Sequence, residues 1–120
     1  MKQSDVEKST QQKLFEMQCD ICKALAHPIR MAIVDRLKDK EIGAAVLISD
    51  LGIPKANLSK HISLLMQAGI VESRREGRQI FYRLTDPEIR EACAIMSSVL
   101  YRRLKRGDRL ASAISSIRAS

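Results

Sequence analysis

Two sets of residues in this chain have types and spacings that point to chemistry. The first is its three cysteines. Cys19 and Cys22 stand three residues apart in a stretch that reads as helix. That spacing puts their thiols on adjacent turns of one face, roughly 5 to 6 Å apart at Cβ. Cys93 lies far along the chain. Three thiolates suit a soft, thiophilic centre. A trivalent metalloid, As(III) or Sb(III), is satisfied by three sulfurs, whereas a soft divalent ion such as Zn(II) or Cd(II) usually takes a fourth ligand. Two other readings stand beside this one. Cysteine is among the most commonly buried side chains, so Cys22 and Cys93 also fit as apolar filling. A pair such as Cys22 and Cys93 also suits a reversible disulfide or persulfide link.

The second set is basic and polar. Lys55 to Ala68 reads as a helix, with Pro54 at its start and Gly69 at its end. Leu58, Ile62, Leu65 and Met66 recur at helical spacing and are expected to face a core. Lys55, Asn57, Ser59, Lys60, His61 and Ser63 are then left on or beside the outer face. Polar and cationic groups on an exposed helix face match what the major groove offers, since base edges present donors and acceptors and the flanking phosphates attract lysine. Beyond Gly69, residues 70–75 and 79–84 read as strands joined through Glu76-Gly77-Arg78. Arg74, Arg75, Arg78 and Arg83, with Gln79, make this hairpin a candidate for contacts along a phosphate backbone or in a minor groove.

Charge and length agree with a polyanionic partner. The 120 residues hold 21 Lys and Arg against 14 Asp and Glu, a formal net charge of +7. Nucleic acid comes ahead of a membrane because no long apolar run or amphipathic anchor is present. The N-terminus is polar and charged rather than leader-like, so a cytoplasmic location is expected. An odd number of cysteines argues against a structural disulfide framework. Catalysis is not expected: there is no Gly-rich phosphate loop, no His-Glu metal motif and no nucleophile in a recognisable setting. A protein-interaction module that does not bind DNA is the alternative of another class.

The remaining elements would position these groups within one expected domain, 1–120, mainly α with a small β-hairpin wing. Residues 4–26 read as one long helix, with Ser4 able to cap it and Asp5 and Glu7 set against its dipole. Its apolar face includes Leu14 and Ile21. His27-Pro28 breaks the chain, with His27 as a local hydrogen-bond partner. A second helix follows to about Lys38 with Ile29, Ala32, Ile33 and Leu37 inward, and then a solvated loop. Residues 44–68 form a helix-turn-helix, its first helix stopped by Gly52. Residues 70–84 form the wing. Thr85 or Asp86 caps a helix over 87–106, whose Ile89, Cys93, Met96, Leu100 and Leu104 make a narrow seam suited to another long helix. After Gly107-Asp108 a short tail helix, 108–118, carries Leu110, Ala113, Ile114 and Ile117 on one face.

Lys23-Ala24-Leu25-Ala26-His27-Pro28-Ile29-Arg30, Asn57-Leu58-Ser59-Lys60-His61-Ile62, Gly69-Ile70-Val71 and Gly77-Arg78-Gln79-Ile80-Phe81-Tyr82-Arg83-Leu84 together resemble the ArsR/SmtB family of winged helix-turn-helix repressors. The match covers roughly residues 20 to 86. The resemblance implies a homodimer whose first and last helices form the interface, here through Leu14, Ile21, Ile89, Met96, Leu100 and Leu104. It also implies binding to double-stranded operator DNA, an imperfect inverted repeat, with no cofactor required. Release would come from an inducer: a metal ion, a metalloid or a thiol-reactive species. Cys19, Cys22 and Cys93 are the inducer ligands the chain offers. The sequence departs from the family's known sites in three places. Gly43-Ala44-Ala45 stands where arsenic-sensing members carry Cys-Val-Cys. The last helix lacks the His and Asp pattern of zinc sensors. The second helix has no cysteine of the kind that marks persulfide sensors.

Overall fold

The computed structural model describes residues 3–106 and 109–119, with side chains for 9–106 and 112–118. The expected capping and dipole roles of Ser4, Asp5 and Glu7, the break at Gly107-Asp108 and the placement of Leu110 lie outside the described side chains. The chain was expected to be one unit. It packs as two, Met1–Pro87 and Glu88–Ser120.

The first unit opens with α1, Gln3–Leu25, uninterrupted because no Gly or Pro occurs before Pro28. His27 then takes an extended backbone and caps α2, Pro28–Arg36: its Nδ1 accepts the Ile29 N–H at 3.1 Å. Ile33, Val34 and Leu37 from this segment are buried. Chain continues through β1, Ile42–Gly43, into α3, Ala44–Leu51, which ends on Gly52 in the left-handed conformation (φ 62°). That backbone suits glycine and lets the chain turn sharply into α4, Lys55–Gln67, capped by the extended Pro54.

The wing is the hairpin β2, Val71–Glu76, and β3, Gln79–Leu84. Register runs from Val71 opposite Leu84 to Glu76 opposite Gln79, leaving the two-residue turn Gly77-Arg78. Gly77 has φ 62° while Arg78 does not, the pattern of a type II′ turn with glycine first. The short β1, for which the sequence carries no strand signal, adds a third antiparallel strand: Ile42 pairs with Tyr82 and Gly43 with Phe81, giving the order β1-β3-β2. A two-residue strand has no periodicity to read. Ile42 is placed by burial and by the free edge of β3. Thr85 does not act simply as a helix cap. Its hydroxyl donates to the carbonyls of Gly69 (2.5 Å) and Ile70 (3.2 Å), stitching the wing's exit to the turn after α4.

Leu47, Leu58, Ile62, Leu65, Ile70, Val71, Tyr82 and Leu84 complete the core with the α2 residues. Met66, expected inside, is exposed, and His61 is buried in its place. The inward positions 58, 61, 62 and 65 are spaced i, i+3, i+4, i+7, the regular inner stripe of a helix.

The second unit holds α5, Glu88–Lys105, and α6, Arg109–Ala119, joined by a hydrogen bond between Tyr101 and Ser115. Glu88 and Glu91 in the first turn of α5, and Arg102, Arg103 and Lys105 in the last, complement its dipole. No residue of α5 is buried.

Candidate nucleic-acid interface

The inner stripe of α4 fixes which residues it turns outward. Lys55, Asn57, Ser59, Lys60 and Ser63 are all exposed. His61 is corrected: it is only 6% exposed, because its position falls on the stripe that holds Leu58, Ile62 and Leu65 against the core. It therefore reaches no base edge. Its Nδ1 lies 3.1 Å from Arg30 Nη1, and its ring is tilted against that of His27 with centroids 4.4 Å apart.

The wing divides its cations. Arg74 donates to both carboxylate oxygens of Glu41 (2.6 to 3.1 Å), reaches Glu76 at 2.9 Å, and lies over the Phe81 ring at 4.8 Å. Arg83 pairs with Glu72 across the ladder. The Arg74 hydrogen bonds hold the Glu41 carboxyl below its usual range and push the Arg74 guanidinium up. Arg74 thus differs from the other expected contacts, its charge being already balanced by two carboxylates. Arg75 and Arg78 make no ion pair with any described residue. Gln79 is exposed beside them.

Between α3, the start of α4 and the wing lies an open cleft of about 380 Å³. Lys55, Arg78 and Gln79 line it together, over a floor that includes Gly43, Val46, Ile80 and Phe81. The fold thus gathers a helix lysine and two wing residues, more than 20 positions apart in sequence, around one concave surface. Cation-bearing concavities beside an exposed polar helix are suited to a phosphate backbone next to a groove. Three residues in the contacts described above had no role assigned from sequence: Arg30 beside His61, and Glu41 and Phe81 around Arg74. The alternation of charges along Glu72, Arg74 and Glu76 was the available signal for the paired wing face.

Cys19 and Cys22 are both exposed on α1, and Cys93 is half-exposed on α5 in the other unit. Among the described residues no group of three or more Cys, His, Asp or Glu stands ready to hold a metal ion. Within one unit the soft-ion site therefore has two sulfur donors at helical spacing, fewer than a trivalent metalloid or a zinc-type ion takes. No helix among the described residues is long and apolar enough to cross a membrane.

A helix-turn-helix whose second helix turns polar side chains outward, followed by a cationic hairpin, defines a winged helix-turn-helix DNA-binding protein. A helix-turn-helix domain model matches residues 25–74. An HTH-type transcriptional regulator of Mycobacterium tuberculosis is 37% identical over 100 residues, 82% of this chain and 85% of that one. Its crystal structure has a TM-score of 0.67 at 30% identity, covering 89% of this chain and 97% of the other. The homodimeric DNA-binding domain of a possible ArsR-family regulator from Mycobacterium bovis has a TM-score of 0.72 at 26% identity, over 81% and 90% of the two chains. The transcriptional repressor BigR from Xylella fastidiosa has a TM-score of 0.65 at 31% identity, over 82% and 96%. The chain belongs to the ArsR/SmtB family of winged helix-turn-helix transcriptional regulators, DNA-binding proteins rather than enzymes.

Proposed function

We propose that the protein is a cytoplasmic, homodimeric repressor that binds an imperfect inverted repeat and is released by an inducer acting at its thiols. The observation that carries the DNA reading is the polar outer face of α4 beside the cleft shared by Lys55, Arg78 and Gln79. Asn57, Ser59, Lys60 and Ser63 are assigned to base edges and adjacent phosphates, and Lys55, Arg75 and Arg78 mainly to the backbone. Arg74 and Gln79 flank that contact, Arg74 in a lesser role because its charge is balanced.

The two-chain reading draws on apolar side chains that a lone chain leaves in water. On α1, Leu14 and Met17 are each 59% exposed; on α5, Met96 is 65% and Leu100 56% exposed. Exposed apolar faces of this extent mark interaction surfaces, and Ile21, Ile89 and Leu104 extend them. A second copy of the chain is the occupant proposed for both faces, and the Mycobacterium bovis neighbour is itself a homodimer. A twofold dimer sets two copies of α4 about 34 Å apart, one turn of DNA.

For the inducer, Cys19 and Cys22 offer two thiols on one exposed face. Their expected Cβ separation of roughly 5 to 6 Å exceeds the ~4 Å of a disulfide, so a bridging As(III) or Sb(III) suits this pair better than a direct S–S bond. Arsenous acid would exchange two hydroxyls for the Cys19 and Cys22 sulfurs, the two thiol protons leaving with them as water. Releasing DNA a hundredfold needs about 2.7 kcal/mol of differential binding.

The test is DNA affinity by fluorescence anisotropy, using reduced protein and a duplex it selects from a random pool, with and without stoichiometric As(III). A triple Cys→Ser variant is run in parallel. Release of the wild type alone is the expected result. Equal binding in every arm with the thiols still reduced rejects the metalloid and shifts attention to oxidant or sulfide. Affinity indifferent to salt would remove the DNA reading itself, since phosphate contacts weaken steeply as salt rises.

A further inference from the structure

His61 is the buried polar residue of the described core, and it sits in the middle of the helix assigned to DNA reading. Arg30 reaches it from α2. The same guanidinium donates through Nε to the carbonyl of Ala24, one residue before the end of α1, at 2.5 Å. Arginine has donors only and keeps its proton, so the 3.1 Å contact between Arg30 Nη1 and His61 Nδ1 requires His61 to accept. His61 is therefore neutral, with its proton on Nε2. His27 makes a separate bond, its Nδ1 accepting from Ile29, and it contributes its ring to the cluster.

We infer that Arg30 and His61 form a proton-sensitive latch that positions the recognition helix. While His61 is neutral, the shared guanidinium ties α4 to the end of α1 and the first turn of α2. Once His61 is protonated, an N–H faces an N–H, the tie is lost, and α4 no longer holds its DNA-reading placement. The inference rests on α4 being the reading helix.

The electrostatics support the direction. Burial first, and then the neighbouring His27, Arg30 and Lys60, hold His61 below the ordinary histidine value of 6.5. These groups come from α2, its cap and α4 itself; α1, α3 and β2, which also pack on α4, add none to the set. Because the latched arrangement binds fewer protons than an unlatched one, the latch is fully held above the ordinary value. It is lost progressively as pH falls from there toward the lowered one. The sign of the consequence is distinctive. Added positive charge by itself strengthens binding to a polyanion. A loss of DNA affinity on acidification therefore runs against simple Coulomb attraction and reports the latch.

The chain has two histidines, both in this cluster, so substituting each in turn separates their contributions. The experiment measures anisotropy at constant ionic strength between about pH 7.5 and pH 5.5. The probe is a labelled duplex of about 30 base pairs, selected by the protein from a random pool and long enough for two half-sites. Wild-type affinity is expected to fall about tenfold over that range. His61→Gln, whose amide can accept from Arg30 without titrating, is expected to give a level profile whatever its affinity at neutral pH. His27→Asn, which keeps a capping oxygen, is expected to retain the fall. Affinity that rises or stays level on acidification of the wild type overturns the latch, as does a fall of the same size in His61→Gln. Arg30→Lys keeps the charge but not the fork, and should lose affinity and flatten the profile together. If that variant does not fold, the His61→Gln profile decides alone. A protein that binds its duplex normally but shows no pH effect refutes the latch and leaves the DNA reading intact.

Discussion

The recognition helix and the wing present cations to the same surface but hold them differently. α4 is placed from within: Leu58, His61, Ile62 and Leu65 are buried, and the outer residues face solvent as a result. The wing beyond its base is placed by a two-stranded ladder, and its arginines are sorted by neighbouring carboxylates. Arg74 and Arg83 are paired, while Arg75 and Arg78 are not paired with any described residue. The difference teaches that the four wing arginines are not four equal candidates for DNA contact. A charge already shared with Glu41 and Glu76 releases fewer counterions when a phosphate arrives than one that is not.

Four substitutions bear on that contrast, in falling order of effect. Leu65→Ala removes a fully buried side chain from under α4 and should cost about 3 kcal/mol in urea unfolding. A cost near zero would mean that α4 is not held by its inner face. Arg78→Ala should leave stability unchanged, weaken DNA binding similarly across sequences, and reduce the log–log salt slope by about 1. An unchanged slope would remove Arg78 from the phosphate contacts. Arg74→Ala should change the salt slope less than Arg78→Ala does. Glu41→Gln should steepen it by loosening Arg74, and equal slopes in all three variants would erase the distinction between paired and unpaired cations.

Much of the fold was legible because its signals were strong and local. Gly52, Pro54, Gly69 and Gly77 punctuate the chain at places where the backbone turns, and the bounds of α3 and β3 match the expected ones. β1 was not legible, because two residues carry no period and Ile42 is recruited by a strand edge 40 positions away. At His61 the misreading came from chemistry overriding geometry. An imidazole beside Lys60 looks like a DNA contact, although the 58, 61, 62, 65 spacing already placed it inward. The sorting of the arginines was hidden for a different reason. Glu41 lies 33 residues from Arg74, and no local pattern reports such a pair.

The small strand β1 also tells an engineer where this reading head can be cut. Ile42 and Gly43 clamp the hairpin at Tyr82 and Phe81, and a side chain at Gly43 would meet the Phe81 ring at 3.5 Å. Beyond that clamp, the tip from Arg75 to Gln79 is held by the partner strand and its turn. The tip is thus a replaceable cassette: a different two-residue turn or charge pattern can be grafted there to retune affinity, while the base carries the register that any graft inherits.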